Sequence, residues 1–217
     1  MPDFAARRAM MVDTQVRPSD VTKYPIIEAM LDIPRELFLP AELAEVAYIG
    51  ENLTPAQGRV MLEPRTLAKM LDALALRGTE LVLDVAPGTG YSSAVLARLG
   101  EAVVALEPDE ALADEAESVL DTVGASNVLI ERQPLDQGAP RHGPYDVIIV
   151  QGGIEQLPQP LSDQLKDGGH VVALFMEGAL GVVRLGVKRD GVMRWRDLFN
   201  AAAPVLAGFE CERGFAF

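Results

Sequence analysis

Leu81-Val82-Leu83-Asp84-Val85-Ala86-Pro87-Gly88-Thr89-Gly90-Tyr91 is the stretch on which the reading of this chain turns. Its first five residues are a short, almost continuous apolar run. Gly88-Thr89-Gly90 then breaks the run, and residues 92–99 resume with helical spacing. A buried strand, a glycine loop and a helix in that order bring a backbone close to a ligand. The glycines remove steric bulk, and the helix start offers free N–H groups.

The pattern repeats downstream. Ala102–Leu106 and residues 127–130, 146–150 and 171–175 are further apolar runs. Helical stretches are expected between them at 109–123, with Asp109 as cap, and at 161–166 before Gly168-Gly169. Continuous apolar strands alternating with helices predict a mostly parallel sheet covered on both faces. Residues 182–187 and 192–198 instead alternate apolar with polar around Asp190-Gly191, the signature of a two-residue hairpin. The expected fold is therefore α/β, a doubly wound, mostly parallel seven-stranded sheet with an antiparallel C-terminal hairpin.

Upstream, residues 1–63 read as helices and loops. Ser19-Asp20 is the expected cap of a helix over 21–31, and Pro34 to Phe38 reads as one short turn stopped by Pro40. Pro64 suits the first turn of the next helix, whose apolar face is Leu67, Met70, Leu71, Leu74 and Leu76, with Gly78 as its stop. With 217 residues, one domain over 1–217 is expected, a helical cap over 1–63 leading into a core over 64–217.

Hydrophobic residues make up 49% and charged residues 24%, which places the chain among folded globular proteins. A formal net charge of −13 repels phosphate backbones, so nucleic acid is not an expected partner. The single cysteine, Cys211, allows no intrachain disulfide. No apolar run approaches the length of a membrane span or follows Arg7-Arg8 as a signal peptide would, so a cytoplasmic location away from membranes is expected. No histidine and cysteine spacing suggests a metal. His142 is expected to be exposed and His170 structural. Nothing in the pattern speaks to oligomeric state.

Glu107 ends the strand after the glycine loop, 19 residues beyond Gly88. An acid there can accept hydrogen bonds from both hydroxyls of a ribose, which suits an adenosine cofactor. The loop lacks the G-x-G-x-x-G spacing of dinucleotide sites. It reads A-x-G-x-G with Asp84 two residues before Ala86, and so resembles motif I of the S-adenosylmethionine-dependent methyltransferases. The cofactor-binding set is then Asp84, Val85, Ala86, Pro87, Gly88, Thr89, Gly90, Tyr91, Glu107 and Pro108, with Gln133 and Pro134 toward the adenine and Gln151 after the fourth strand.

Several segments together resemble the protein-L-isoaspartate O-methyltransferase family. Ile33-Pro34-Arg35-Glu36-Leu37-Phe38-Leu39-Pro40 is similar to its V-P-R-E-x-F-V-P, and Ala47-Tyr48 to the A-Y that follows. Gly58 to Pro64 lies where the family has G-Q-T-I-S-x-P. Gly90-Tyr91, Pro144-Tyr145-Asp146 and residues 161–169 match in order. The resemblance implies methyl transfer from S-adenosylmethionine to the α-carboxylate of isoaspartyl residues in damaged proteins, with a protein or peptide as substrate.

The chain departs from the family where the substrate would lie. Leu62 stands at the family's serine and Val60 at its threonine, both without hydrogen-bonding capacity. Ala86 replaces the first glycine, and Gln133-Pro134-Leu135 replaces G-D-G. Arg35 and Arg59 are each suited either to holding a carboxylate or to a solvated place on the surface, and the catalytic side is read as Leu62, Val60 and Arg59. Three readings stay open at this point: an isoaspartyl methyltransferase, a methyltransferase for another acceptor, and a family member that binds the cofactor without turnover.

Overall fold

The computed structural model describes residues 3–211. In chain order the elements are α1 (Phe4–Met11), a π-helical turn at Val12–Val16, α2 (Tyr24–Asp32), 3₁₀ turns at Arg35–Phe38 and Ala44–Val46, β1 (Leu53–Ala56), β2 (Arg59–Met61) and α3 (Pro64–Leu74). Then follow β3 (Leu81–Val85), α4 (Tyr91–Ala97), β4 (Ala102–Leu106), α5 (Glu110–Thr122), β5 (Val128–Glu131), a 3₁₀ turn at Leu135–Gln137, β6 (Tyr145–Ile154), α6 (Gln159–Asp163), β7 (Leu165–Glu177), β8 (Leu180–Arg189) and β9 (Val192–Asn200).

Seven strands form one sheet in the order β5-β4-β3-β6-β7-β8-β9. The pairs from β5 through β7 are parallel. β7–β8 and β8–β9 are antiparallel. The chain leaves β3 toward β4 and β5, then returns to lay β6 on the other side of β3. The carboxyl ends of β3 and β6 therefore flank the point where the winding reverses, which is where open α/β sheets bind ligands.

Successive side chains of each strand go to opposite faces. Val82, Val103, Val147, Ile149, Val172 and Leu174 join one core with α3, α4 and the N-terminal layer. Leu83, Val85, Val104, Leu106, Ile148 and Val150 join the other. The second face is covered by α6, the 3₁₀ turn at Leu135–Gln137 and the C-terminal segment, whose Leu206 and Phe209 are buried. That segment lies along β6: the Gly153 N–H bonds the Pro204 carbonyl at 2.8 Å and the Leu206 N–H bonds the Gly153 carbonyl at 2.9 Å. A Cβ on Gly152 would fall 2.7 Å from Leu206, and one on Gly153 2.6 Å from the Ala203 carbonyl oxygen. The paired glycines are what let the segment approach.

Asp190 and Gly191 both have positive φ, 53° and 76°, as the expected hairpin turn requires. Asp109 caps α5 through a bond from the Leu112 N–H. Other expectations are corrected. Residues 53–61 are not helix or loop but the antiparallel pair β1–β2. Ser19-Asp20 does not cap α2: Asp20 is left-handed, and Pro25 in the first turn starts the helix later, from Lys23. α3 stops at a left-handed Ala75, three residues before Gly78. The short helix placed at 161–166 runs instead over Gln159–Asp163. Leu165 already pairs with Tyr145 in the sheet, and Lys166 is held there by the Asp146 carboxylate at 2.8 Å.

Candidate functional site

β3 delivers Asp84 to the switch point, and the next residues turn sharply. Ala86 has φ 61°, Gly88 59° and Gly90 92°, three left-handed residues in five. Alanine adopts that region at a cost of about 1 kcal/mol. The fold imposes it because the Ala86 N–H is held by the Leu106 carbonyl at 3.0 Å. At Gly90 a side chain would also press on Ala116 and Leu120 of α5, each 3.4 Å from its Cβ. Thr89 Oγ1 donates to the Phe38 carbonyl at 2.5 Å, tying the loop to the N-terminal layer. Pro87 is half-buried at the bend.

The Asp84 side chain is fully buried. The hydroxyls of Ser92 and Ser93 donate to its Oδ2 at 2.6 and 2.7 Å, and Gln151 Nε2 from the carboxyl half of β6 donates to Oδ1 at 2.8 Å. Burial pushes the Asp84 carboxyl up to about 6, with the three hydrogen bonds pulling the other way. Ser92 and Ser93 were not singled out in the sequence. Their signal is two hydroxyls in the first turn of the helix that follows an acid-tipped strand.

Glu107 is 0% exposed at the end of β4. Its Oε2 accepts from the Gly88 N–H at 3.1 Å and its Oε1 from the Asp109 N–H at 3.1 Å. Arg59, the first residue of β2, grips the same carboxylate with both arms, Nε to Oε2 at 2.7 Å and Nη2 to Oε1 at 2.6 Å. The sequence reading placed Arg59 with a substrate carboxylate; here it holds a carboxylate of the protein itself. Pro108 follows, half-buried. Gln133 and Pro134 lie two and three residues beyond β5, which runs beside β4, and both are exposed.

Leu62 is 2% exposed, and Val60 and Met61 join it in the apolar cluster under the N-terminal layer. The Leu62 carbonyl accepts from Arg35 Nη2 at 2.8 Å, and the Ala47 carbonyl from Arg35 Nε at 2.8 Å. Arg35 is itself fully buried, stacked 4.7 Å over the Tyr91 ring, which meets Phe38 edge-on at 5.7 Å. Burial lowers the Arg35 pKa and raises that of Tyr91. So Arg35 is a brace between three segments of the N-terminal layer and the helix after the glycine loop, not a surface carboxylate binder. His142, expected to be exposed, is half-buried with Nε2 2.8 Å from Glu131 Oε2.

The fold thus brings Asp84, Gln151, the 86–90 loop, Glu107 and Arg59 to one end of the sheet. Val60 and Leu62 it turns into the core.

Comparison with known proteins agrees with this architecture. A family model described as Protein-L-isoaspartate(D-aspartate) O-methyltransferase matches residues 6–199. A protein-L-isoaspartate O-methyltransferase of Syntrophus aciditrophicus (strain SB) is 40% identical over 172 residues, 79% of each chain. One from Rhodopseudomonas palustris (strain HaA2) is 38% identical over 169 residues, 78% of this chain and 69% of that one. A solved protein-L-isoaspartate O-methyltransferase superposes with a TM-score of 0.81 at 25% identity, over 93% of this chain and 66% of the longer solved one. A Plasmodium falciparum structure described as the same enzyme, in complex with S-adenosyl-L-homocysteine, shares the fold with a TM-score of 0.78 at 19% identity, over 92% of this chain and 97% of that one.

Proposed function

Because this chain belongs to the protein-L-isoaspartate(D-aspartate) O-methyltransferase family, we propose that it methylates the α-carboxylate that an L-isoaspartyl residue exposes in a damaged protein, with S-adenosylmethionine as donor. The observation that carries the reading is the juxtaposition, at the sheet's switch point, of a left-handed glycine loop, buried Asp84 and buried Glu107.

These residues fit an adenosine cofactor in kind. Gly88 and Gly90 keep two positions of the loop free of side chains, Glu107 is a hydroxyl acceptor, and Asp84 places negative charge near the loop. When bound, S-adenosylmethionine supplies a methyl group on a positively charged sulfur. Asp84, fixed by Ser92, Ser93 and Gln151, is the acid toward that positive end. Val85, Ala86, Pro87, Thr89 and Tyr91 shape the loop, Glu107 and Pro108 take the ribose side, and Gln133 and Pro134 the adenine side. The Gln133 amide has both a donor and an acceptor for the ring.

A carboxylate is already ionised at pH 7, so no general base is required. The protein's task is to align the acceptor oxygen with the methyl group and exclude water. Arg59, whose guanidinium holds Glu107, belongs to the ribose side of the site, and Val60 and Leu62 are packed in the apolar core beside it. Loss of the family's hydroxyl at Leu62 removes one hydrogen bond, about 1–3 kcal/mol, or roughly tenfold to a hundredfold in rate.

The test is transfer of label from S-adenosylmethionine to a synthetic isoaspartyl peptide, with the aspartyl peptide as control. Label on the isoaspartyl peptide alone is expected. Folded protein that labels neither would overturn the reading and turn attention to another acceptor or to cofactor binding without turnover. A cytoplasmic location belongs to the same proposal, supported by a single, exposed cysteine suited to a reducing compartment, and cell fractionation tests it. Damaged proteins rather than nucleic acid are the partners it implies, in keeping with the net charge of −13. Among the described residues no helix is long and apolar enough to cross a membrane.

A further inference from the structure

An ionised carboxylate has about four lone-pair sites, and those of Glu107 are all taken. Two belong to the Gly88 and Asp109 N–H groups and two to Arg59. The two backbone donors are fixed by the loop and by the start of α5. Only Arg59 can leave. Its side chain is 12% exposed while Glu107 is 0% exposed, so it lies between the acid and solvent. Its aliphatic stem covers the loop, with Cβ 3.7 Å from where a Cβ on Gly88 would sit. It follows directly on the turn of the β1–β2 hairpin, where Gly58 has φ 73° and nothing within 4 Å of its added Cβ. The guanidinium thus has a route out and a turn around which the backbone has room.

We propose that Arg59 gates the cofactor site by competing with the ribose hydroxyls for the Glu107 carboxylate. The proposal rests on the cofactor reading above and adds to it a cost that the ligand must overcome. In the free protein the bidentate pair neutralises a buried acid that would otherwise stand uncompensated in a low-dielectric environment. The cofactor gains Glu107 only by displacing that pair, so Arg59 stabilises the empty protein and weakens cofactor binding by the same contact. The matching residue in the family's G-Q-T-I-S-x-P pattern is glutamine, which can hydrogen-bond the acid without neutralising it. Arg59 is then the residue that sets cofactor affinity in this chain, and the hydroxyls of the nucleoside are the chemistry it excludes.

Titration calorimetry with S-adenosylhomocysteine on the full chain, its Arg59→Gln variant and its Arg59→Lys variant tests this. Arg59→Gln is expected to bind about tenfold tighter or more. Arg59→Lys should fall between, because an ammonium makes a point contact where the guanidinium makes a fork. Melting without ligand supplies a second readout. Arg59→Gln should melt lower than the parent, and saturating ligand should raise its melting temperature by more than it raises the parent's. Equal affinity in all three proteins would overturn the gate and leave the cofactor reading standing. Tighter binding by the parent would show Arg59 to be a contributor to the site and would overturn it too. Folded proteins that all fail to bind would overturn the gate and the cofactor reading together.

Discussion

Replacing Asp84 by asparagine is predicted to change stability with a pH dependence of defined sign. The ordinary carboxyl titrates near 3.8 and the buried one at about 6. Between those values the folded protein holds a proton that the unfolded chain has released. Stability therefore falls as pH rises from about 4 to about 6, and the loss is complete above that window. A separation of roughly two pH units, at about 1.4 kcal/mol each, amounts to about 3 kcal/mol. About half of this has accrued by pH 5, which leaves about 1.5 kcal/mol between pH 5 and pH 8. Asparagine does not ionise. Every pH-independent cost of the substitution, including the altered bonds to Ser92, Ser93 and Gln151, is the same at both pH values and cancels. The melting temperature of Asp84→Asn relative to the parent should thus be more favourable at pH 8 than at pH 5, by about 3–6 °C for a chain of this size. Thermal melts followed by circular dichroism at the two pH values measure it. A difference that does not move with pH, or moves the other way, would refute the argument that Asp84 is ionised against its own desolvation.

Ala86→Gly should relieve the left-handed alanine at φ 61° and raise stability by up to about 1 kcal/mol; a clear fall in melting temperature would count against it. Leu62→Ser should lower the melting temperature by several degrees, since it empties a site only 2% exposed. If the missing hydroxyl limits turnover, it should also raise kcat/KM on an isoaspartyl peptide by about tenfold or more; unchanged turnover would show that Leu62 is not the limiting departure. Gly153→Ala should cost about 1–3 kcal/mol or more, because its Cβ would meet the Ala203 carbonyl oxygen at 2.6 Å and Met176 Cγ at 2.7 Å; a melt unchanged within a degree would mean that the segment after β9 does not pack as described.

The strands around the glycine loop were legible because burial on both faces leaves an uninterrupted apolar run. Leu81–Val85 and Ala102–Leu106 match the observed bounds. The final hairpin was legible because Asp190-Gly191 is a backbone instruction as well as a composition. β1 and β2 were not. Each has at most four residues, one holds Pro55, and their pairing depends on packing from elsewhere. The start of β7 was hidden because Lys166-Asp167-Gly168-Gly169 reads as a turn until Asp146 is known to anchor Lys166. At the site, Asp84 and Glu107 could be found by their offsets from the glycines. The ion pair between Arg59 and Glu107 joins residues 48 apart, and no local spacing encodes it. Arg35 was misjudged for a related reason: a charge in a turn looks solvated until three segments close over it.

The segment laid along β6 also orders events during synthesis. β6 occupies the middle of the sheet, yet residues 203–206 lie in the groove at Gly152 and Gly153, beside Met176 of β7, and the Phe209 carbonyl oxygen accepts from the N–H groups of Glu155 and Gln156 at 2.9 and 3.1 Å. These residues leave the ribosome about fifty positions after the strand they complete. A nascent chain can therefore wind its sheet while still carrying an open apolar slot in its centre, and nascent domains with exposed apolar surface are prone to association. Until Phe209 emerges that slot stays open on the growing chain, at a stage the finished molecule no longer displays.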